Sequence, residues 1–320
     1  MRRSIVIAAV LSAGCKQPLL FEHVTTLTHS TLGITLNETG WQASAGMSDQ
    51  ICTVQTQGQW AGVVADYDFT DSAEDVQDEF DQTILVRSDS SLHLINHEAM
   101  SLQPEIPVSG VVAARLFSGG VAVLHQPDST DCQVTWHTPT GHRSVSLEPE
   151  LCDPDAGVSV HPDDGTLWIA NGLVSMIDDQ GVHDLSVSGD FVDMDPSGDI
   201  IYVGDSNDDV IYGLDSDGAV SWSEDAESDL LSVESMGDLG MVVVGLATDS
   251  GGNISVFDGS VGSYVDGIPV PQGGEVISSG DGSTVAVVLN TEVHFFLVTP
   301  DGSRVVYLTP KEDEPVRFID

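Results

Sequence analysis

Glycine recurs along this chain in two interleaved ladders with a period near forty residues. One ladder is Gly40, Gly120, Gly165, Gly198, Gly240 and Gly282; the other is Gly58, Gly141, Gly181, Gly218, Gly259 and Gly302. The second glycine follows the first by 18, 21, 16, 20, 19 and 20 residues. The gap from Gly40 to Gly120 is two periods, so one unit has lost its glycines. A fixed period of this length marks stacked repeats, each too small to bury its apolar face alone.

The residues between the glycines say which repeat it is. After the first-ladder glycine comes a short apolar run, as in Leu167-Trp-Ile-Ala170, Ile200-Ile-Tyr-Val203 and Val285-Ala-Val-Val-Leu289. Before the second comes another, as in Val174-Ser-Met-Ile177, Val210-Ile-Tyr-Gly-Leu214 and Ile254-Ser-Val-Phe257. The runs are β-branched and aromatic, bounded by Asp, Gly, Ser and Pro, and too short for helices. Each unit reads as four antiparallel strands, a to d, with glycine turns at a–b and c–d. That pattern predicts an all-β chain folded as a β-propeller of seven four-stranded blades, with six as the alternative. The expected blades are 32–67, 69–107, 110–149, 156–187, 190–223, 229–268 and 274–309. The glycine-poor second blade takes its b and c strands from Ile84–Arg87 and Leu92–Ile95, and the tail 315–320 is expected to complete the first or second blade.

The stretch Val192-Asp-Met-Asp-Pro-Ser-Gly-Asp-Ile-Ile-Tyr-Val-Gly-Asp205, continuing through Val210-Ile-Tyr-Gly-Leu-Asp-Ser-Asp-Gly218, resembles an NHL-type propeller repeat. The unit at His161-Pro-Asp-Asp-Gly-Thr-Leu-Trp-Ile169 is similar. The match covers two of the expected units, and its motif encodes turns and strands. The resemblance implies the fold; such propellers bind proteins, nucleic acid or small ligands, and some are lactonases or lyases, so it leaves the function open.

The first residues give an address. Met1-Arg-Arg-Ser4 is a basic start, Ile5 to Leu11 a short apolar core, and Ser12-Ala-Gly-Cys15 follows. Small residues before a cysteine resemble a bacterial lipoprotein signal, with Cys15 the lipidated residue; Ser12 departs from the Leu that this pattern prefers. Residues 1–14 are then the signal, 15–31 a tether and 32–320 the propeller. The chain is expected at the cell envelope, touching the membrane only through that lipid; an ordinary secretory signal is the alternative.

The chain carries 51 acidic and 9 basic residues, a formal charge of −42, and its only lysines are Lys16 and Lys311. Nucleic acid is excluded as a direct partner, because phosphate contacts need Lys and Arg. High net charge also simply keeps a surface protein soluble. In a propeller, b–c and d–a loops share one face, and eight carboxylates fall at 66–81, read as an insertion with a helical turn capped by Ser72. Asp71, Glu74, Asp75, Asp78 and Glu79 of that segment are the candidate contacts for a protein or a cation.

Asp205, Asn207 and Asp209 place oxygens at alternate positions, as the start of a calcium loop does, although the same letters make a plain turn. No cofactor is required, and calcium is the one candidate ion. His93 with His97, and His137 with His142, form pairs without a third ligand in sequence, where zinc takes three or four. No nucleophile elbow, phosphate loop or His-Glu-x-x-His occurs. A lactonase-like metal centre would need residues such as Asn171, Asn207, Asp249 and Asn290 to converge. Cys132 opens strand c of the third blade, and Cys152 lies just past its cross-strand neighbour, so Cys132–Cys152 is the expected disulfide. Cys52 is left free, or pairs with Cys15 if that residue carries no lipid. The reading is a non-catalytic envelope lipoprotein that binds through an acidic loop face; a metal-dependent hydrolase on the same scaffold is the alternative.

Overall fold

The computed structural model describes residues 28–29, 33–37, 40–47, 50–55, 62–68, 73–80, 83–88, 90–96, 101–128, 130–236, 239–248, 251–270, 272–278, 284–288, 292–297, 304–310 and 316–317. Side chains are described mainly between 103 and 276. Two compact units result, 1–107 with 312–320, and 108–311.

In the first unit, β1 is Thr28–His29, and β2 (Gly33–Asn37), β3 (Gly40–Met47), β4 (Gln50–Gln55) and β5 (Gly62–Asp68) make a sheet in chain order. Next come β6 (Ala73–Phe80), β7 (Thr83–Ser88) and β8 (Ser91–Asn96), with the short β9 (Ser101–Leu102) and β10 (Ile106–Pro107) both pairing β8. The acidic segment is therefore not a loop with a helical turn. Asp66 and Asp68 belong to β5, residues 73–80 form the first strand of the next sheet, and only 69–72 connect the two. Pairing with β7 decides the matter over the helix-forming tendency of Glu and Gln, and register shifts at Ala73/Asp75 and Val76/Asp78 absorb the imperfect alternation. The tail also differs from expectation. Val316–Arg317 pairs Thr28–His29 in a separate two-stranded ladder instead of completing a blade.

The second unit holds five four-stranded antiparallel sheets, each in chain order. Their strands are β11–β14 (Val111–Phe117, Gly120–Asp128, Asp131–Thr138, Gly141–Leu147) and β15–β18 (Gly157–Val160, Leu167–Asn171, Leu173–Ile177, Val182–Asp184). Then follow β19–β22 (Phe191–Met194, Ile200–Asp205, Val210–Asp215, Val220–Asp225) and β23–β26 (Asp229–Ser235, Met241–Thr248, Gly251–Asp258, Tyr264–Val270). The last sheet is β27–β30 (Glu275–Ser278, Thr284–Val288, Glu292–Leu297, Arg304–Pro310). The first strands lie against one another in series, β11 on β15, β15 on β19, β19 on β23 and β23 on β27. The fourth strands β14, β18 and β22 are the exposed edges. Sheets stacked face to face with their first strands innermost make this a β-propeller fold.

Burial on both faces explains the unbroken apolar runs. Leu167 and Ile169 of β16 pack towards Leu124, Val134 and Trp136, while Trp168 and Ala170, between and after them, pack towards Val192, Ile201 and Val203. Tyr202, Val242 and Val244 meet in the next interface, and Val243, Ile254 and Val276 in the one after. Each fully buried side chain of this size contributes about 1.5–3 kcal/mol.

The ladder glycines serve these interfaces as well as their turns. A Cβ on Gly165 would lie 2.9 Å from the Phe117 ring of the preceding sheet, and the Gly165 carbonyl accepts the Trp136 indole N–H. Gly198, at φ 76°, is covered by the His161 ring. Gly259 sits under the Tyr202 hydroxyl, and its carbonyl accepts the Trp222 N–H at 2.8 Å. Glycine is required wherever the turn of one sheet must receive an aromatic side chain of the sheet before it.

Candidate functional site

Several hairpin turns of the second unit share one device. Asp178 Oδ1 accepts the amides of Gln180 at 2.7 Å and Gly181 at 3.1 Å. Asp215 Oδ1 accepts those of Asp217 and Ala219 at 3.1 and 2.9 Å. Asp195 and Asp258 each accept the amide two residues on, at 2.9 Å. At the opposite end of the sheets, Asp128 Oδ1 accepts Thr130 N–H at 2.9 Å and Asp131 N–H at 3.1 Å. A short carboxylate folding back on its own backbone fixes the turn without help from elsewhere. The donors hold several of these groups below the usual carboxylate range. For Asp128 the Thr130 amide is the largest cause, and for Asp258 the Ser260 hydroxyl.

Asp205, Asn207 and Asp209 lie together in the turn between β20 and β21, and they follow the same logic. Asp205 is buried, at 1% exposure. Its Oδ1 accepts the amides of Asn207 at 2.9 Å and Asp208 at 3.2 Å, and its other oxygen accepts the Ser188 hydroxyl. Burial pushes its pKa up, but the Ser188, Asn207 and Asp208 donors outweigh that and hold it low. Asp209 points away from Asp205's partners: its Oδ1 accepts Leu230 N–H at 3.0 Å and its carbonyl accepts Ala226 N–H at 2.8 Å. The Asn207 amide group reaches Asp190, which also accepts Ser206 N–H at 2.9 Å. Among the described residues, no three His, Cys, Asp or Glu side chains are grouped to hold a metal. Asn171 donates to the Glu150 carbonyl at 2.7 Å. Asn290 and Asp249 lie outside the described residues.

Cys132 and Cys152 form a disulfide, with Cα atoms 5.7 Å apart. It ties β13 to the 3-10 turn Pro149–Cys152 within the apolar interface of β11–β14 and β15–β18. Cys15 and Asp71 lie outside the described residues. Glu74, Asp75 and Glu79 fall on β6, where the backbone alone is described, and Asp78 on the same strand is half-buried. Asp75 stands opposite Arg87 in the ladder. His93 is buried, 3.2 Å from the Ser91 hydroxyl.

The loops joining b to c and d to the next a, at residues 126–131, 148–156, 185–190, 205–210 and 225–229, contain no Lys or Arg. They expose Glu148, Glu150, Asp155, Asp208, Glu224 at the end of β22, and Glu227. Among the described residues, the non-glycine residues with positive φ are Asp209 at 53° and Glu227 at 58°, and both sit here. The left-handed region is strained for a glutamate, and the Asp225 carboxylate holds Glu227 there through its amide at 2.8 Å.

One residue not foreseen from sequence, Asp193 of β19, ties three successive innermost strands. It accepts the Ser159 hydroxyl of β15 at 3.4 Å and the Ser235 amide of β23 at 2.7 Å.

No family model matches this sequence, and no curated protein matches it. Solved structures do. Hsv2 of Kluyveromyces marxianus is 10% identical, with a TM-score of 0.57 over 89% of this chain and 99% of that one. The Cps50 (Swd1) β-propeller domain of Myceliophthora thermophila is 14% identical, with a TM-score of 0.56 over 84% and 94%. A chain of a mitotic checkpoint complex is 12% identical, with a TM-score of 0.56 over 92% and 93%. At these identities the likeness is one of fold.

Proposed function

We propose that this protein is a non-catalytic binding propeller of the cell envelope, with NHL-like repeats, held to the membrane by a lipid on Cys15. Its loop-bearing end takes a basic protein surface or a cation. The observation that carries this reading is the acidic loop end itself: exposed glutamates, no Lys or Arg in the five described loops, and Glu227 held in a strained conformation on a rigid scaffold. Hsv2 and Swd1 lend only the scaffold to this reading; a partner-binding role is supported by surface chemistry.

The glutamates separate binding from folding. Glu148, Glu150, Glu224 and Glu227 make none of the turn bonds that the aspartates make. Replacing all four by Gln should leave the melting temperature within a few degrees and abolish retention of the partners captured from a detergent extract of the envelope. Unchanged capture by the neutralised protein refutes the acidic-end reading. For the anchor, Cys15→Ser should move the protein from the detergent phase to the aqueous phase; continued partition into detergent refutes lipidation.

A further inference from the structure

His137 of β13 and His142 of β14 face each other across a hairpin. The loop is two residues, Pro139-Thr140, and it closes on the rung Thr138–Gly141. A two-residue hairpin closes on a hydrogen-bonded rung, so the next rung, His137–His142, is of the non-hydrogen-bonded kind in which side chains stand closest. Their ring centres are 6.1 Å apart and the planes are inclined by 33°. The His137 Nε2 is shut off from water and has no hydrogen-bond partner. The neighbouring hydrogen-bonded chain runs instead from His125 Nε2 to the Thr135 hydroxyl at 2.9 Å and on to the Ser144 hydroxyl at 2.8 Å. His142 is exposed. Burial, and then the proximity of His142 and His125, lowers the pKa of His137 below its ordinary 6.5.

We propose that His137 and His142 form a two-imidazole chelate for a borderline divalent transition ion, Cu2+ foremost, with the remaining coordination positions on the side of the exposed His142. The donor set selects the ion: neutral imidazole suits Cu2+, Ni2+ and Zn2+ in the order Cu2+ above the others, whereas Ca2+ and Mg2+ take oxygen. Metal–nitrogen bonds of about 2.0–2.1 Å would set the ring centres about 5 Å apart, so the pair closes by roughly 1 Å through side-chain rotation of His142. Coordination through Nε2 would give the orphaned His137 nitrogen a partner, once the movement of His142 uncovers it. The net charge of −42 raises the local concentration of any cation.

The test is titration of the metal-free protein with CuCl2 in a non-coordinating buffer, followed by calorimetry and electron paramagnetic resonance. One ion per chain should bind with hyperfine structure from two imidazole nitrogens. His142→Gln, an exposed change, should weaken this site roughly tenfold or more and remove one nitrogen; His137→Gln should do the same. His183→Gln, which alters an exposed histidine beside Asp178, should change neither reading, and excess Ca2+ should not displace the ion. Equal affinity in His142→Gln, an oxygen-only resonance spectrum of the unaltered protein, or displacement by Ca2+ overturns the proposal.

Discussion

Replacing Asp205 separates a turn anchor from a calcium ligand. Asp205→Ala removes the acceptor of three donors, the amides of Asn207 and Asp208 and the Ser188 hydroxyl. Bonds to a charged acceptor are worth about 1.5–3 kcal/mol each, but Asn207 and Asp208 are exposed and water can replace part of what they lose. The expected cost is therefore about 2–4 kcal/mol, well below the sum of three full bonds. Asp205→Asn keeps Oδ1 and its two amide bonds, and the Ser188 hydroxyl can turn to accept from the new NH2 group, so about 1 kcal/mol is expected. In a unit of this size each kcal/mol moves the melting temperature by about 2–4 °C. The Ala variant should thus melt about 4–16 °C lower and the Asn variant only a few degrees lower, measured calorimetrically in EDTA. Calcium should leave both differences unchanged. Equal losses for Asn and Ala, or a loss that appears only when calcium is present, would refute the turn-anchor argument and restore the ion.

Other outcomes follow from the same structure. The Cys132–Cys152 bridge closes a loop of 20 residues, so reduction or Cys152→Ser should cost about 3 kcal/mol; an unchanged melting temperature in reductant counts against it. Burial lowers the pKa of His125 below its ordinary 6.5, so its stabilising contribution is complete above that pH and is lost as pH falls towards the folded value. Urea midpoints should therefore drop between pH 7.5 and 5, and His125→Gln should flatten that slope; an equally steep variant contradicts the assignment. A second loss should begin below the ordinary carboxylate value of 3.8, as protonation reaches the depressed turn aspartates such as Asp128 and Asp258. Raising NaCl from about 0.01 to 0.15 M shortens the screening length from about 30 to 8 Å, so the melting temperature of a chain at −42 should rise; a flat response means that the carboxylates do not repel one another measurably.

What could be read from sequence was what repeats locally. Gly165 and Gly198 mark their turns, and Leu167-Trp-Ile-Ala170 declares a strand buried on both faces, since every residue of it is apolar. The strand β6 was illegible because its letters, Ala-Glu-Asp-Val-Gln-Asp-Glu-Phe, favour helix or solvent, and only the ladder with β7 overrides them. Asp193 was illegible because its partners, Ser159 and Ser235, lie 34 and 42 residues away and meet it only when the innermost strands assemble.

The acidic balance hides a distinction of its own, because one number covers two jobs. Asp128, Asp178, Asp205, Asp215 and Asp258 are short enough to reach the amide two residues on, and each spends an oxygen on its own turn. Glutamate, one methylene longer, does not close that ring, and Glu148, Glu150, Glu224 and Glu227 remain directed to solvent. The charge that holds these turns rigid is thus aspartate, and on the proposed reading the glutamates, with exposed Asp155 and Asp208, are the charge left to meet a partner. At Asp225 and Glu227 the two roles are adjacent: the aspartate carboxylate binds the glutamate's amide, and the glutamate is thereby held at φ 58°. An Asp225→Ala change should therefore weaken partner binding without touching a contacting group, since it releases Glu227 from a conformation it would otherwise leave. Partner affinity that is unaffected in Asp225→Ala, yet lost in Glu227→Gln, would show that the carboxylate matters and its fixed position does not.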